Sequence, residues 1–130
     1  MITVRPYNQK DYEMVCSWWD EWEQSSIPED CLPDIGAVAE IDGKPVACAW
    51  LFRMDCKMCW IGFPISTKSF RGANRKKAIV ALFNALCMAA KNIGYRFVTS
   101  ISNTSGLQAR YRESGFKECD RNIIHMVRSL

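Results

Sequence analysis

Histidine occurs once in the 130 residues, at His125, and residues 56–112 contain no aspartate or glutamate at all. With one histidine, a zinc site would have to rest on cysteine. The only CxxC is Cys56 and Cys59 in RMDCKMCW, and no second ligand pair accompanies it. No metal is therefore expected, and the two cysteines are expected to flank a hairpin turn. The chain also lacks a long apolar run. Its longest, AIVALFNALCMAA at residues 78–90, is far short of the ~20 residues that cross a bilayer. The N-terminal MITVRPYNQ has no signal-peptide core, so a cytoplasmic location is expected. Internal repeats and low-complexity tracts are missing too, which excludes solenoid and disordered classes. The seven cysteines are odd in number and scattered through core-like segments, unlike a secreted disulfide scaffold.

What is present is the composition of a soluble globular protein, 48% hydrophobic and 24% charged, at a length that suits one domain over residues 1–130. The net charge of +3 hides a strong asymmetry. Residues 1–55 carry eleven acids against four bases, whereas the acid-free residues 56–112 carry ten bases. This division implies an anionic ligand held by the second half, with a cationic partner at the first.

Apolar spacing gives a coarse order of elements. Residues 2–6 read as a strand, followed by a helix in DYEMVCSWWDEWEQ that Asn8 or Asp11 can cap. The Pro-containing SSIPEDCLPDIG is a loop. Two strand-like runs then flank the turn Asp42-Gly43, and a second hairpin turns near residues 55–57 and returns through MCWIGFPIS. Pro64 has no N–H to give a ladder, so that strand is expected to distort or splay beside it. Ile79, Leu82, Phe83, Leu86, Cys87 and Ala90 mark a helix over 73–92 that Gly94 ends. A strand in YRFVTSIS, a helix in GLQARYRE, and a final strand or two in FKECDRNIIHMVRSL complete a mixed α/β domain.

The beginning of the long helix is electrostatically odd. Arg71, Arg75, Lys76 and Lys77 crowd an end that already carries partial positive charge, at a cost of roughly 0.3–1 kcal/mol each. An anion bound there offsets that cost, since free backbone N–H groups and side chains then act on one negative group, with phosphate the first candidate. A solvated surface cluster and a nucleic-acid backbone stripe that includes Phe70 are the competing explanations.

Three motifs now point to one family. FRGANRKKA resembles the pyrophosphate loop of the GCN5-related N-acetyltransferases, with Arg71 and Gly72 matching and Asn74 and Lys76 standing where small residues are usual. NTSGLQARYRESGF is similar to that family's Asn followed by a helix ending in Tyr and Gly-Phe, through Asn103, Tyr111, Gly115 and Phe116. CWIGFPIS matches its distorted strand. The resemblance spans nearly the whole chain. It implies a mixed, mostly antiparallel sheet with a splayed central strand pair flanked by helices, and acetyl-CoA as co-substrate. It further implies that Arg71, Gly72, Ala73, Asn74, Arg75, Lys76, Lys77 and Asn103 bind the cofactor, together with Phe63, Ile65 and Ser66 of the strand. Tyr111 would be the acid that protonates the departing thiolate. Many members carry a glutamate base on the strand, where this chain has Gly62. Glu40, an aspartate near the 25–36 loop, or a water chain are the substitutes.

The implied reaction is acetyl transfer to a primary amine of a small molecule or a protein by direct attack on the thioester, with no covalent enzyme intermediate. Asp20, Glu21, Glu29, Asp30 and Asp34 are candidates to attract the amine. A homodimer is compatible with the sequence, and a membrane partner is not expected. The short length and the pattern LPDIG…IDGKPVACAWLF…GFPIS resemble small phage and prophage acetyltransferase-like proteins. The alternative is a domain of this fold that has lost catalysis and binds a protein or CoA as a regulator; nucleic-acid binding stands third.

Overall fold

In the computed structural model, which describes all 130 residues, Asp42 and Gly43 both take positive φ, 50° and 79°. Two left-handed residues in succession make the tight turn that matches strand twist, and they join β2 (Ile35–Ile41) to β3 (Lys44–Arg53). The second hairpin leads from β3 into β4 (Met58–Ser66). β1 (Ile2–Pro6) pairs with β2 and β5 (Phe97–Thr99) pairs with β4, giving the order β1-β2-β3-β4-β5. All neighbours are antiparallel except β4 and β5.

Both faces of the sheet are covered, which explains the nearly unbroken apolar run of β3. Ala47, Ala49 and Leu51 face one core with Ile79, Leu82, Phe83, Leu86 and Ala90 of α2 (Ala73–Ile93). Small residues on that side let a long helix approach closely. Cys48 and Trp50 alternate to the other face, where they meet Val15, Trp18 and Trp19 of α1 (Tyr12–Glu21). The expected cap falls on a short 3-10 turn, Gln9–Asp11, that leads into α1: the Asn8 side chain accepts from the Lys10 N–H and Asp11 accepts from the Asn8 N–H at 3.0 Å, while α1 itself, begun by Asp11, has no side-chain cap. Gly94 ends α2 with φ 115°, in the left-handed conformation expected of it. α3 (Ser105–Glu113) follows β5 and packs on α2.

The expected strand in FKECDRNIIHMVRSL is absent. Residues 117–130 form no regular element and are exposed throughout. A strand requires a ladder to join, and β5, only three residues long, offers little edge beyond β4. The splayed pair, β4 and β5, therefore stands at the edge of the sheet. No helix is long and apolar enough to cross a membrane.

Candidate active-site cleft

β4 and β5 stay paired only from Met58↔Phe97 to Trp60↔Thr99. Past Trp60 the remainder of β4 has no strand partner on that side. Its pairing with β3 also slips, between Cys48 and Trp50, and Phe63 takes φ 54°. A left-handed bulky residue is strained by roughly 1 kcal/mol. The strain sits immediately before Pro64, which cannot donate to a ladder, so the expected distortion is a bulge at Gly62-Phe63-Pro64.

The opening beside this bulge is a cleft of about 230 Å³ between the end of β4, the first turns of α2, and α3. Gly72 enters α2 with φ 79° and ψ −153°, a backbone region that glycine alone adopts readily. No side chain caps the helix start and no acid lies in its first turn. None of Arg71, Arg75, Lys76 and Lys77 makes an ion pair. Arg75 and Lys76 line the cleft, beside Ile65 and Ser66 of β4. Free N–H groups, a glycine turn and uncompensated cations together fit the diphosphate of CoA. A hollow of about 170 Å³ near Cys56 and Tyr95, at the other end of α2, has a single cation, Lys57, and no strand opening.

The end of α1 closes the cleft from the other side. The Trp22 indole N–H donates to the Ser66 carbonyl at 2.6 Å, and the Lys68 ammonium lies 4.6 Å from the Trp22 ring centre. Glu21 accepts from the Thr67 hydroxyl at 3.0 Å and from the Lys68 N–H at 2.7 Å. Glu21 is thus tied to the chain leaving β4, while Asp20, Glu29, Asp30 and Asp34 are exposed. Cys48 also lines the cleft, and burial holds its thiol well above the ordinary range, so it supplies no thiolate nucleophile at neutral pH.

Tyr111 is buried, 6% exposed, against Phe83 and Phe116. Ser100 Oγ lies 2.6 Å from its hydroxyl and 2.8 Å from the Ile61 carbonyl oxygen. The carbonyl only accepts, so both bonds form when Ser100 donates to Ile61 and Tyr111 donates to Ser100. Burial pushes the phenol up to about 12, partly opposed because Ser100 can turn and donate to the ionised oxygen.

Of the sequence-derived site residues, the cleft gathers Ile65, Ser66, Arg75 and Lys76. Phe63 is at the bulge above it. Arg71, Gly72, Ala73 and Asn74 form the exposed entry to α2, with Lys77 exposed in its first turn. Asn103 is exposed just before α3, and Tyr111 is behind the lining, in the α2–α3 core. Glu40, a candidate base, accepts from Arg5 Nε at 3.0 Å and does not line the cleft. Gly62 has a physical reason to lack a side chain: a Cβ there would meet Phe52 Cε1 at 2.6 Å. Phe52 fills the space that the first carbon of any side chain at 62 would take. Trp22 and Arg110 line the cleft and were not expected there. The signal for Arg110 is its spacing from Leu107, three residues earlier on the same helix face.

No protein-family model and no curated protein matches the chain. Solved structures do. Aminoglycoside N-acetyltransferase AAC(6')-Iy in complex with CoA superposes with TM-score 0.71 at 20% identity, over 98% of this chain and all of that one. A probable acetyltransferase from meticillin-resistant Staphylococcus aureus gives 0.72 at 14% identity over the full length of both. N-acetylglutamate synthase from Neisseria gonorrhoeae, complexed with CoA and N-acetyl-glutamate, gives 0.67 at 15% identity over 86% of this chain and 28% of its own. At these identities the likeness establishes architecture alone, and the architecture of this chain is the GCN5-related N-acetyltransferase fold.

Proposed function

We propose that the protein is an acetyl-CoA-dependent N-acetyltransferase acting on a primary amine. The observation that carries this is the parting of β4 from β5 beside a cationic, uncapped helix start, which makes one cleft able to take both a flat amide-bearing arm and a diphosphate. Arg75, Lys76 and the first N–H groups of α2 hold the diphosphate, with Arg71, Gly72, Ala73, Asn74 and Lys77 shaping the entry and Asn103 at the α3 side. Backbone groups of β4 around Phe63, Ile65 and Ser66, other than the Ser66 carbonyl that Trp22 holds, orient the arm and polarise the thioester carbonyl. The amine enters from the α1 side, past Trp22, where the exposed acids of α1 and the following loop favour a cation. Tyr111 returns a proton to the leaving thiolate through Ser100: the Ser100 proton turns from the Ile61 carbonyl to the sulfur as Ser100 takes the Tyr111 proton, and the proton shed by the attacking amine, carried by water, restores the phenol. The small size and relaxed glycine loop support a member of the phage or prophage type, working in the cytoplasm on a small-molecule or protein amine, as a monomer or a homodimer.

A second reading has its own support. No carboxylate lines the cleft, and the Tyr111 phenol is engaged inside the core. A domain that binds CoA without turning it over has these same features. Calorimetry with acetyl-CoA, followed by thiol release in the presence of a panel of amines, separates the two. Binding with turnover is expected; binding without turnover leaves the regulator, and absence of binding removes both.

A further inference from the structure

Of the seventeen lysines and arginines, Arg110 alone is buried, 9% exposed. It lies on α3 in the wall of the cleft, among Ile79, Leu82 and Leu107. Nη2 donates to Glu113 at 2.8 Å, but Glu113 is half exposed at the helix rim, and the buried Nε of Arg110 has no partner. A buried guanidinium with an unsatisfied donor is a costly choice for a position lined by aliphatic side chains, where leucine would pack without that cost. No acid of residues 56–112 is available to neutralise it, because there is none.

We infer that Arg110 is an interior anion-binding residue of the cleft, separate in role from Arg75 and Lys76 at its mouth. Its ligand is an oxyanion that accepts from the guanidinium: either a phosphate oxygen of the cofactor or a carboxylate at the end of the transferred acyl group. This deepens the acyltransferase reading and rests on it for the identity of the ligand. The need for an anion rests on Arg110 itself.

The test compares wild type, Arg110→Gln and Glu113→Gln by calorimetry with acetyl-CoA, succinyl-CoA and inorganic pyrophosphate, with melting curves as a check on folding. Arg110→Gln is expected to weaken at least one of these probes by about tenfold or more. Glu113→Gln, which frees the guanidinium from its one acid, is expected to tighten the same probe several-fold. An equal loss for the two thioesters assigns the oxyanion to the cofactor; a loss confined to succinyl-CoA assigns it to the acyl carboxylate. Wild-type affinity for all three probes in folded Arg110→Gln overturns the inference and leaves Arg110 as a partner of Glu113 only. Should Arg110→Gln not fold, unchanged affinities in Glu113→Gln overturn it equally. If wild type binds pyrophosphate through Arg110 but neither thioester, the anion site stands and the acyltransferase reading falls. Tight thioester binding indifferent to Arg110 gives the reverse.

Discussion

The Tyr111 ring lies parallel to that of Phe83, centroids 4.1 Å apart and planes 3° apart, while its hydroxyl meets Ser100 Oγ at 2.6 Å. Stacking fixes the ring, and the hydroxyl chain through Ser100 to the Ile61 carbonyl is the one polar path from the ring to β4. Tyr111→Phe keeps the stack and removes the proton. It is expected to lower kcat by about 10²-fold, the usual scale of general-acid loss, with CoA affinity unchanged and about 1 kcal/mol of stability lost with the hydrogen bond. Single-turnover rates and calorimetry check this. Unaltered turnover takes Tyr111 out of the chemistry and leaves it a core residue.

Alkaline stability follows from the same phenol and from Tyr7. Burial pushes both up to about 12, helped at Tyr7 by the nearby Cys48, Glu29 and Asp11. An unfolded tyrosine ionises near ~10. Between these values the native state keeps protons that the unfolded state has released. The phenols' share of stability is therefore fully present below pH ~10 and is lost from there toward pH 12, on top of the loss that the buried thiols of Cys48 and Cys87 begin near pH ~8.5. Denaturant melts across pH 8–12 should show that decline, and Tyr111→Phe should make it shallower. The same slope above pH ~10 in wild type and Tyr111→Phe would mean that this phenol titrates normally.

At the bulge, the usual ranking of residues should invert. Phe63 stays left-handed despite its bulk, held in part by an edge-to-face contact with Phe52 at 5.3 Å. Phe63→Ala loses that contact and keeps the strain; Phe63→Gly loses the contact and relieves it. Glycine is expected to be the more stable of the two by about 1 kcal/mol, against the ordinary penalty for glycine in a strand. Urea titration of the pair decides it, and alanine being better would place the bulge elsewhere.

Gly62→Ala is expected to cost about 1–3 kcal/mol by forcing Phe52 aside. In a Phe52→Ala background the same change should cost much less, a coupling above about 0.5 kcal/mol. Additive effects would mean that Phe52 is not what excludes a side chain at 62.

Much of this was legible in the sequence because it follows from local rules. The 3.6-residue spacing of Ile79 through Ala90 gave α2, Asp42-Gly43 gave its turn, and Pro64 marked the distorted strand. Two features were hidden for physical reasons. The apolar alternation near Ile123, Ile124 and Met126 suits a strand, but whether a sheet edge waits for it depends on the length of β5, which local pattern does not report. Arg110 sits in a helix rich in polar residues and reads as solvated. Its burial depends on how α3 lies on α2, and only its spacing from Leu107 hinted at the inner face.

The central claim is that the basic start of α2 exists to hold a diphosphate at the mouth of the β4 cleft. The most direct measurement is a crystal structure of the protein grown with CoA. The expected result is a diphosphate against Arg75, Lys76 and the first N–H groups of α2, with the pantetheine arm along β4 past Ser66. The cofactor lodged elsewhere, or that cleft mouth closed by the protein's own side chains at saturating CoA, would contradict it.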